Sequence, residues 1–137
     1  MSKRVLVTGA TGFIGCALTP YLVHQGFAVT ILVREAYAQP DVKLLPDALT
    51  VVRPYIHTVY ADLRHFDLTL RAVRETEPEV VIHLAAAGVT DPFLGVETAV
   101  RHNVNGTVNL LRACFEKTNT TRQLIVARTP GERSSMN

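Results

Sequence analysis

The 137-residue sequence has no tryptophan and only two cysteines. Cys16 and Cys114 lie far apart, lack CxxC spacing and fall in segments that read as helix, which describes reduced, half-buried thiols rather than a disulfide or a thiolate metal site. Serine occurs only at positions 2, 134 and 135, so neither a nucleophile elbow nor a Ser-His-Asp triad can sit in the folded body. His24, His57, His65, His83 and His102 have no metal-ligand spacing with one another or with the cysteines, and no metal is expected. Long apolar runs are missing as well. None approaches the roughly 20 residues that span a bilayer, and the apolar start Val5-Leu6-Val7 ends at Thr8-Gly9, too soon for a signal-peptide core. A cytoplasmic protein without a membrane partner is expected. An excess of one charge is also lacking: 14 Lys plus Arg against 12 Asp plus Glu give +2, with no basic run, so nucleic acid is not an expected partner.

What is present is globular: 47% hydrophobic and 19% charged residues, in a length that suits one domain. A chain of this size buries roughly 68–70% of its unfolded surface, enough for a core without metal or disulfide staples. Strand and helix signals alternate from the start. Apolar runs at 4–7, 27–33, 56–60, 80–84 and 124–127 read as strands. Between them, helical spacing covers 12–25, with a kink expected at Pro20 and a stop at Gly26. Residues 35–54, with Pro40, Pro46 and Pro54, are irregular apart from a short helix at 47–51. Asp67 reads as the N-cap of a helix running to Glu77, with Leu68, Ala72 and Val73 on its inner side, and Pro78 ends it. After Ala85-Ala86-Ala87-Gly88 comes a long helix with a break near Asn103, carrying Val104, Val108, Leu111 and Phe115 on one stripe. Crossover helices of these lengths make right-handed βαβ units. The predicted fold is α/β: a doubly wound, Rossmann-like parallel sheet of about five strands in a three-layer α/β/α sandwich, filling 1–127, with an irregular tail at 128–137.

The first strand runs into Thr8-Gly9-Ala10-Thr11-Gly12-Phe13-Ile14-Gly15, a Gly-x-x-Gly-x-x-Gly turn that opens a helix. Gly9 permits the tight turn, Gly12 lets a pyrophosphate approach the backbone, and Gly15 lets the helix pack closely. Thr11 lies within the same turn. Free N–H groups from Gly12 to Ile14 are expected to face the anion, aided by the helix dipole. A P-loop is excluded, because no Gly-Lys-Ser/Thr follows. Where an acidic residue would hold a ribose 2′-hydroxyl, the sequence has Val33-Arg34. A cation at that point suits a 2′-phosphate, so NADP is favoured over NAD.

The set Thr8-Gly-x-x-Gly12-Phe-Ile-Gly15, Ala61-Asp62-Leu63, His83-Leu-Ala-Ala86 and Asn103-Val-x-Gly106-Thr107-x-Asn-Leu-Leu111 resembles the extended short-chain dehydrogenase/reductases, the NAD(P)-dependent epimerase/dehydratase group. The resemblance spans residues 4–127. It implies that Asp62 and Leu63 border the adenine, that Leu84, Ala85 and Ala86 line the path to the nicotinamide ribose, and that Asn103 braces the active-site side of the sheet. His83, inside an apolar strand, reads as a packed and hydrogen-bonded core histidine rather than a catalyst.

The resemblance also implies a catalytic Tyr-x-x-x-Lys pair with a nearby Ser or Thr. Tyr21, Tyr37, Tyr55 and Tyr60 are followed four residues on by Gln25, Asp41, Val59 and Arg64, never lysine. Thr129 is the nearest match to the catalytic hydroxyl, with Glu132 spaced as in a Ser/Thr-x-x-Glu-Tyr-Gly variant but Arg133 in place of the tyrosine. The expected function is therefore the NAD(P)-binding domain of an epimerase/dehydratase-type oxidoreductase acting on a nucleotide-sugar-like or other hydroxyl/carbonyl substrate. A stand-alone binding or sensing module and an inactive truncated gene product are the alternatives. A chain ending after the fifth strand would leave an uncovered sheet edge that invites self-association.

Overall fold

A computed structural model describes residues 2–39, 44–85, 93 and 95–127. Five strands form one parallel sheet in the order β3-β2-β1-β4-β5: β1 is Arg4–Thr8, β2 Ala28–Val33, β3 Ile56–Tyr60, β4 Val80–His83 and β5 Gln123–Val126. The chain winds outward from β1 through β2 to β3, then returns to start β4 on the other side of β1. The crevice at the carboxyl ends of β1 and β4 is thus the topological switch point, where open α/β sheets bind their ligands. Thr8 stands in register with both Leu32 and His83, so the ends of β1, β2 and β4 lie level.

Side chains alternate across the sheet, and each central strand is apolar on both faces because both faces are covered. Val5, Val7, Val29, Ile31 and Val33 point to one side, under α1 (Phe13–His24) and α2 (Asp47–Val52), which contribute Leu22, Leu49 and Val52. Leu6, Leu32 and Val81 point to the other side, under α3 (Phe66–Thr76) and a long helical segment from 96 to 116, which contribute Ala72, Val73, Leu110 and Ala113. The doubly wound three-layer architecture read from the sequence is the one observed.

Details differ from the sequence reading for local reasons. α1 starts at Phe13 and ends at His24, with Pro20 inside it as the sequence indicated. α3 starts two residues earlier than expected, with His65 at the cap position, and Asp67 sits in the first turn, where its charge meets the helix dipole without capping. Glu77, in the left-handed conformation at φ 45°, ends α3 just before Pro78. The break expected near Asn103 is instead a widened turn: α4 (Val96–Val100) and α5 (Gly106–Leu111) are joined by π-type hydrogen bonding over Arg101–Asn105. Val104, Val108, Leu111 and Phe115 do share a stripe, but it faces outward, and the helix packs on the sheet through Gly106, Leu110, Ala113 and Cys114. Cys114 is fully buried rather than half-buried, and burial pushes its thiol pKa up.

Candidate functional site

The turn after β1 is built by glycine. Gly9 has φ +69°, and a Cβ there would lie 2.5 Å from the backbone N of Ala85 and from the carbonyl carbon of Leu84, so the turn rests directly against the chain leaving β4. A Cβ on Gly15 would come within 2.4 Å of the Gly9 carbonyl oxygen, so the first turn of α1 packs on the Gly9–Ala10 backbone. Gly12 differs from both, because a Cβ there would meet only the Gly9 oxygen at 3.4 Å. The space above Gly12 is open.

Gly12 caps α1 without any side-chain bond, and no acidic residue stands in the first turn. The first helical bond runs from Cys16 N–H to the Gly12 carbonyl, 2.9 Å, so the N–H groups of Phe13, Ile14 and Gly15 precede the hydrogen-bonded helix and point out of its end. The Gly12 N–H, expected to face the anion, instead donates to the Gly9 oxygen at 3.1 Å and closes the turn. The donor set is therefore displaced by one residue along the chain. The side chains of Phe13 and Ile14 are exposed, and the Thr11 carbonyl accepts the Cys16 thiol at 3.5 Å. An anionic diphosphate fits this end: among the described residues its donors have no partner, no acidic side chain stands in the first turn, the dipole end is positive, and the space an added Gly12 side chain would take is open.

The remaining described site residues gather at the same edge of the sheet. Arg34, exposed, follows the last residue of β2, and Ala61 N–H bonds to the Val33 carbonyl at 2.9 Å, bringing Asp62 beside it. Asp62 is held by Arg64, whose backbone N–H (2.9 Å) and Nε (3.0 Å) donate to Oδ1 and whose Nε (2.9 Å) and Nη2 donate to Oδ2. These bonds hold the Asp62 carboxyl at about 2, against the opposing effect of burial. His102, on the π-type turn, has its pKa lowered first by burial, then by Arg64 and Arg34, with Asp62 working in the other direction. Leu63 buries its side chain in the core, and its carbonyl accepts Asn109 Nδ2 at 2.8 Å.

Thr8 joins the glycine turn to β4. Its Oγ1 accepts the N–H groups of Leu84 (3.1 Å) and Ala85 (3.2 Å) and lies 2.6 Å from His83 Nδ1. His83 Nε2 lies 2.9 Å from Thr107 Oγ1, which donates to the Asn103 carbonyl at 2.6 Å. Asn103 is thereby tied to the end of β4. His83 is 3% exposed and bonded through both ring nitrogens, the core histidine that the sequence suggested. Sequence reading gave Arg64 no part in the site and held Thr8 and Thr107 only as members of motifs, without a role. The signals were the Asp-x-Arg spacing, which closes a side-chain turn, and polar residues at the carboxyl ends of apolar strands. Ala86 and Thr129 lie outside the described residues. Among the described residues no group of His, Cys, Asp or Glu is placed to hold a metal.

Comparison with known proteins matches this geometry to one family. The profile of the NAD dependent epimerase/dehydratase family matches residues 5–132. A Sinorhizobium fredii protein named "Probable dTDP-glucose 4,6-dehydratase" is 37% identical over 109 residues, covering 79% of this chain and 30% of its own. The CDP-glucose 4,6-dehydratase of Salmonella typhimurium is 34% identical over 114 residues, covering 80% of this chain and 30% of its own. Among solved structures, the Thermus thermophilus UDP-glucose 4-epimerase in complex with NAD superposes with a TM-score of 0.58 at 34% identity, over 81% of this chain and 33% of that one. The chain thus spans about a third of the length of these relatives, their N-terminal part. The glycine turn, the five-stranded doubly wound sheet and the match over residues 5–132 together show that this chain belongs to the NAD dependent epimerase/dehydratase family.

Proposed function

We propose that this chain binds a nicotinamide dinucleotide at the carboxyl edge of its sheet, as the cofactor part of an enzyme acting on a hydroxyl or carbonyl carbon of a nucleotide-sugar-like substrate. The observation that carries this reading is the amino end of α1, where the N–H groups of Phe13, Ile14 and Gly15 have no partner among the described residues, above an open Gly12. They would hold the pyrophosphate. Asp62, ionised and oriented by Arg64, would border the adenine with Leu63. Leu84, Ala85 and Ala86 would line the path to the nicotinamide ribose, and Asn103 would brace the edge through Thr107. When bound, the nicotinamide supplies the hydride acceptor or donor. Two relatives above support the substrate class by name, a CDP-glucose dehydratase and a UDP-glucose epimerase bound to NAD. No tyrosine here has a lysine four residues on, so proton transfer is assigned to groups other than a Tyr-x-x-x-Lys pair of this chain, with Thr129 as the nearest sequence match to the family's hydroxyl.

Arg34 favours NADP over NAD, because its exposed guanidinium at the end of β2 can pair with a 2′-phosphate. Calorimetric titration with NAD, NADH, NADP and NADPH tests both levels. A micromolar Kd, about −8.2 kcal/mol, is the expected result, and no binding of any of the four refutes the reading. Arg34→Ala should lower the ratio of NADPH to NADH affinity; an unchanged ratio removes the NADP preference alone. The outer edge of β5 has no strand partner among the described residues, with Ile125 and Val126 each 45% exposed, and we propose that it self-associates. No helix among the described residues is long and apolar enough to cross a membrane, and with two free thiols the proposed setting is the cytoplasm.

A further inference from the structure

Counting hydrogens around Thr8 fixes the state of His83. A threonine hydroxyl has one hydrogen and two lone pairs. Both lone pairs of Thr8 Oγ1 are taken, by the N–H groups of Leu84 and Ala85. Its hydrogen must then point at His83 Nδ1, 2.6 Å away, and that nitrogen must be bare. The ring proton is on Nε2, which donates to Thr107 Oγ1, and the Thr107 hydrogen goes to the Asn103 carbonyl. The Leu84 N–H is shared, reaching the Thr8 carbonyl at 3.1 Å as well as Oγ1.

A second proton on the ring breaks this order. It would place Nδ1–H against Thr8 O–H, and the oxygen would face three donors with two lone pairs. Thr8 Oγ1 would then have to give up the Leu84 or the Ala85 N–H; Leu84 keeps its bond to the Thr8 carbonyl at 3.1 Å, so the hydroxyl loosens its hold on the backbone against which the Gly9 turn is packed. We propose that His83 is a positioning residue that latches the dinucleotide path: its neutral ring orders the Thr8 hydroxyl, which helps hold the Leu84–Ala85 backbone beside the Gly9 turn, and protonation loosens that hold. This rests on the dinucleotide reading above. Burial lowers the pKa of His83, and no charged group contributes to that shift. Its register partners in β1 and β5 are Thr8 and Val126 and its hydrogen-bond partner on the long helix is Thr107, none of them ionisable. The latch is closed at neutral pH and opens only in acid.

The test has an arm without ligand and an arm with it. In 15N spectra of the free protein, the His83 ring should show hydrogen on Nε2 alone at neutral pH. The amides of Gly9, Leu84 and Ala85 should shift in step with the ring as pH falls below its ordinary pKa of about 6.5. A proton on Nδ1 at neutral pH, or amides that stay still while the ring titrates, overturns the proposal. In the second arm, NADH is titrated from about pH 8 down through the pH at which the spectra show the ring to titrate, into wild type and His83→Asn, whose Oδ1 can accept from Thr8 and does not titrate. Wild-type affinity should fall about tenfold or more across that range, while the weaker affinity of the variant stays level. Wild-type binding that is level over the range, or an equal fall in both proteins, overturns the latch. If wild type binds no NADH even at about pH 8, the dinucleotide reading fails instead, and the spectra still decide the latch. They also decide it if the variant does not fold.

Discussion

Gly12 and Gly15 share one turn, and the same added methyl group should act on them in different ways. At Gly12, with φ −81° and an open Cβ direction, alanine fits the backbone, so stability should change by no more than about 0.5 kcal/mol while dinucleotide affinity falls at least about tenfold. At Gly15 the methyl meets the Gly9 carbonyl at 2.4 Å, and Gly15→Ala should lower stability by about 1–3 kcal/mol as well as weaken binding. Thermal melts beside calorimetric titrations separate the two outcomes, and equal loss of stability in both variants would contradict the account. The titrating residues make a second pair. Asp62, held at about 2 against its ordinary 3.8, contributes stability that is complete above 3.8 and lost as pH falls toward 2. His83, whose folded pKa lies below 6.5, favours the fold fully above 6.5 and loses that share as pH drops through its lowered value. Urea midpoints followed against pH should show both declines. Arg64→Ala should flatten the lower and His83→Asn the upper; either decline surviving its own substitution counts against the assignment.

α1 combines a rigid amino end with a poorly satisfied middle. The hydroxyl of Thr19 is buried without a hydrogen-bond partner among the described residues, next to Pro20, which has no N–H to give. Thr19→Val keeps the shape and removes the unmet polar atom, so the melting temperature should rise by about 2–4 °C; a fall would show that the hydroxyl has a partner. The strands and α1 were legible in the sequence because their signals are local: apolar runs between turns, and glycines at fixed spacing. The orientation of the long helix was not. A stripe such as Val104, Val108, Leu111 and Phe115 shows which residues share a face, but not whether the sheet covers it, and here the smaller Gly106, Leu110 and Ala113 face does the packing. Of the site, Gly9, Gly12, Gly15 and Asp62 could be read from spacing. The bonds from Thr8 through His83 to Thr107 could not, because their partners are 75 and 24 residues apart in the chain.

At the scale of the whole molecule, the winding of the sheet brings the glycine turn, the end of β4 and Asn103 to one edge, while the outward helix stripe and β5 leave apolar surface elsewhere. Ile125→Lys puts a charge on the free edge and should shift any concentration-dependent association toward monomer in size-exclusion chromatography; a monomeric wild type at all concentrations would refute self-pairing there. The central claim is that the amino end of α1 and the carboxyl edge of the sheet together form a dinucleotide site. Its most direct test is an NADH titration followed by 15N–1H correlation spectra of the labelled protein. Saturable shifts largest at the amides of Phe13, Ile14 and Gly15, with a second group at Asp62 to Arg64, are the predicted result; saturable binding that leaves the Phe13 to Gly15 amides unmoved would contradict it.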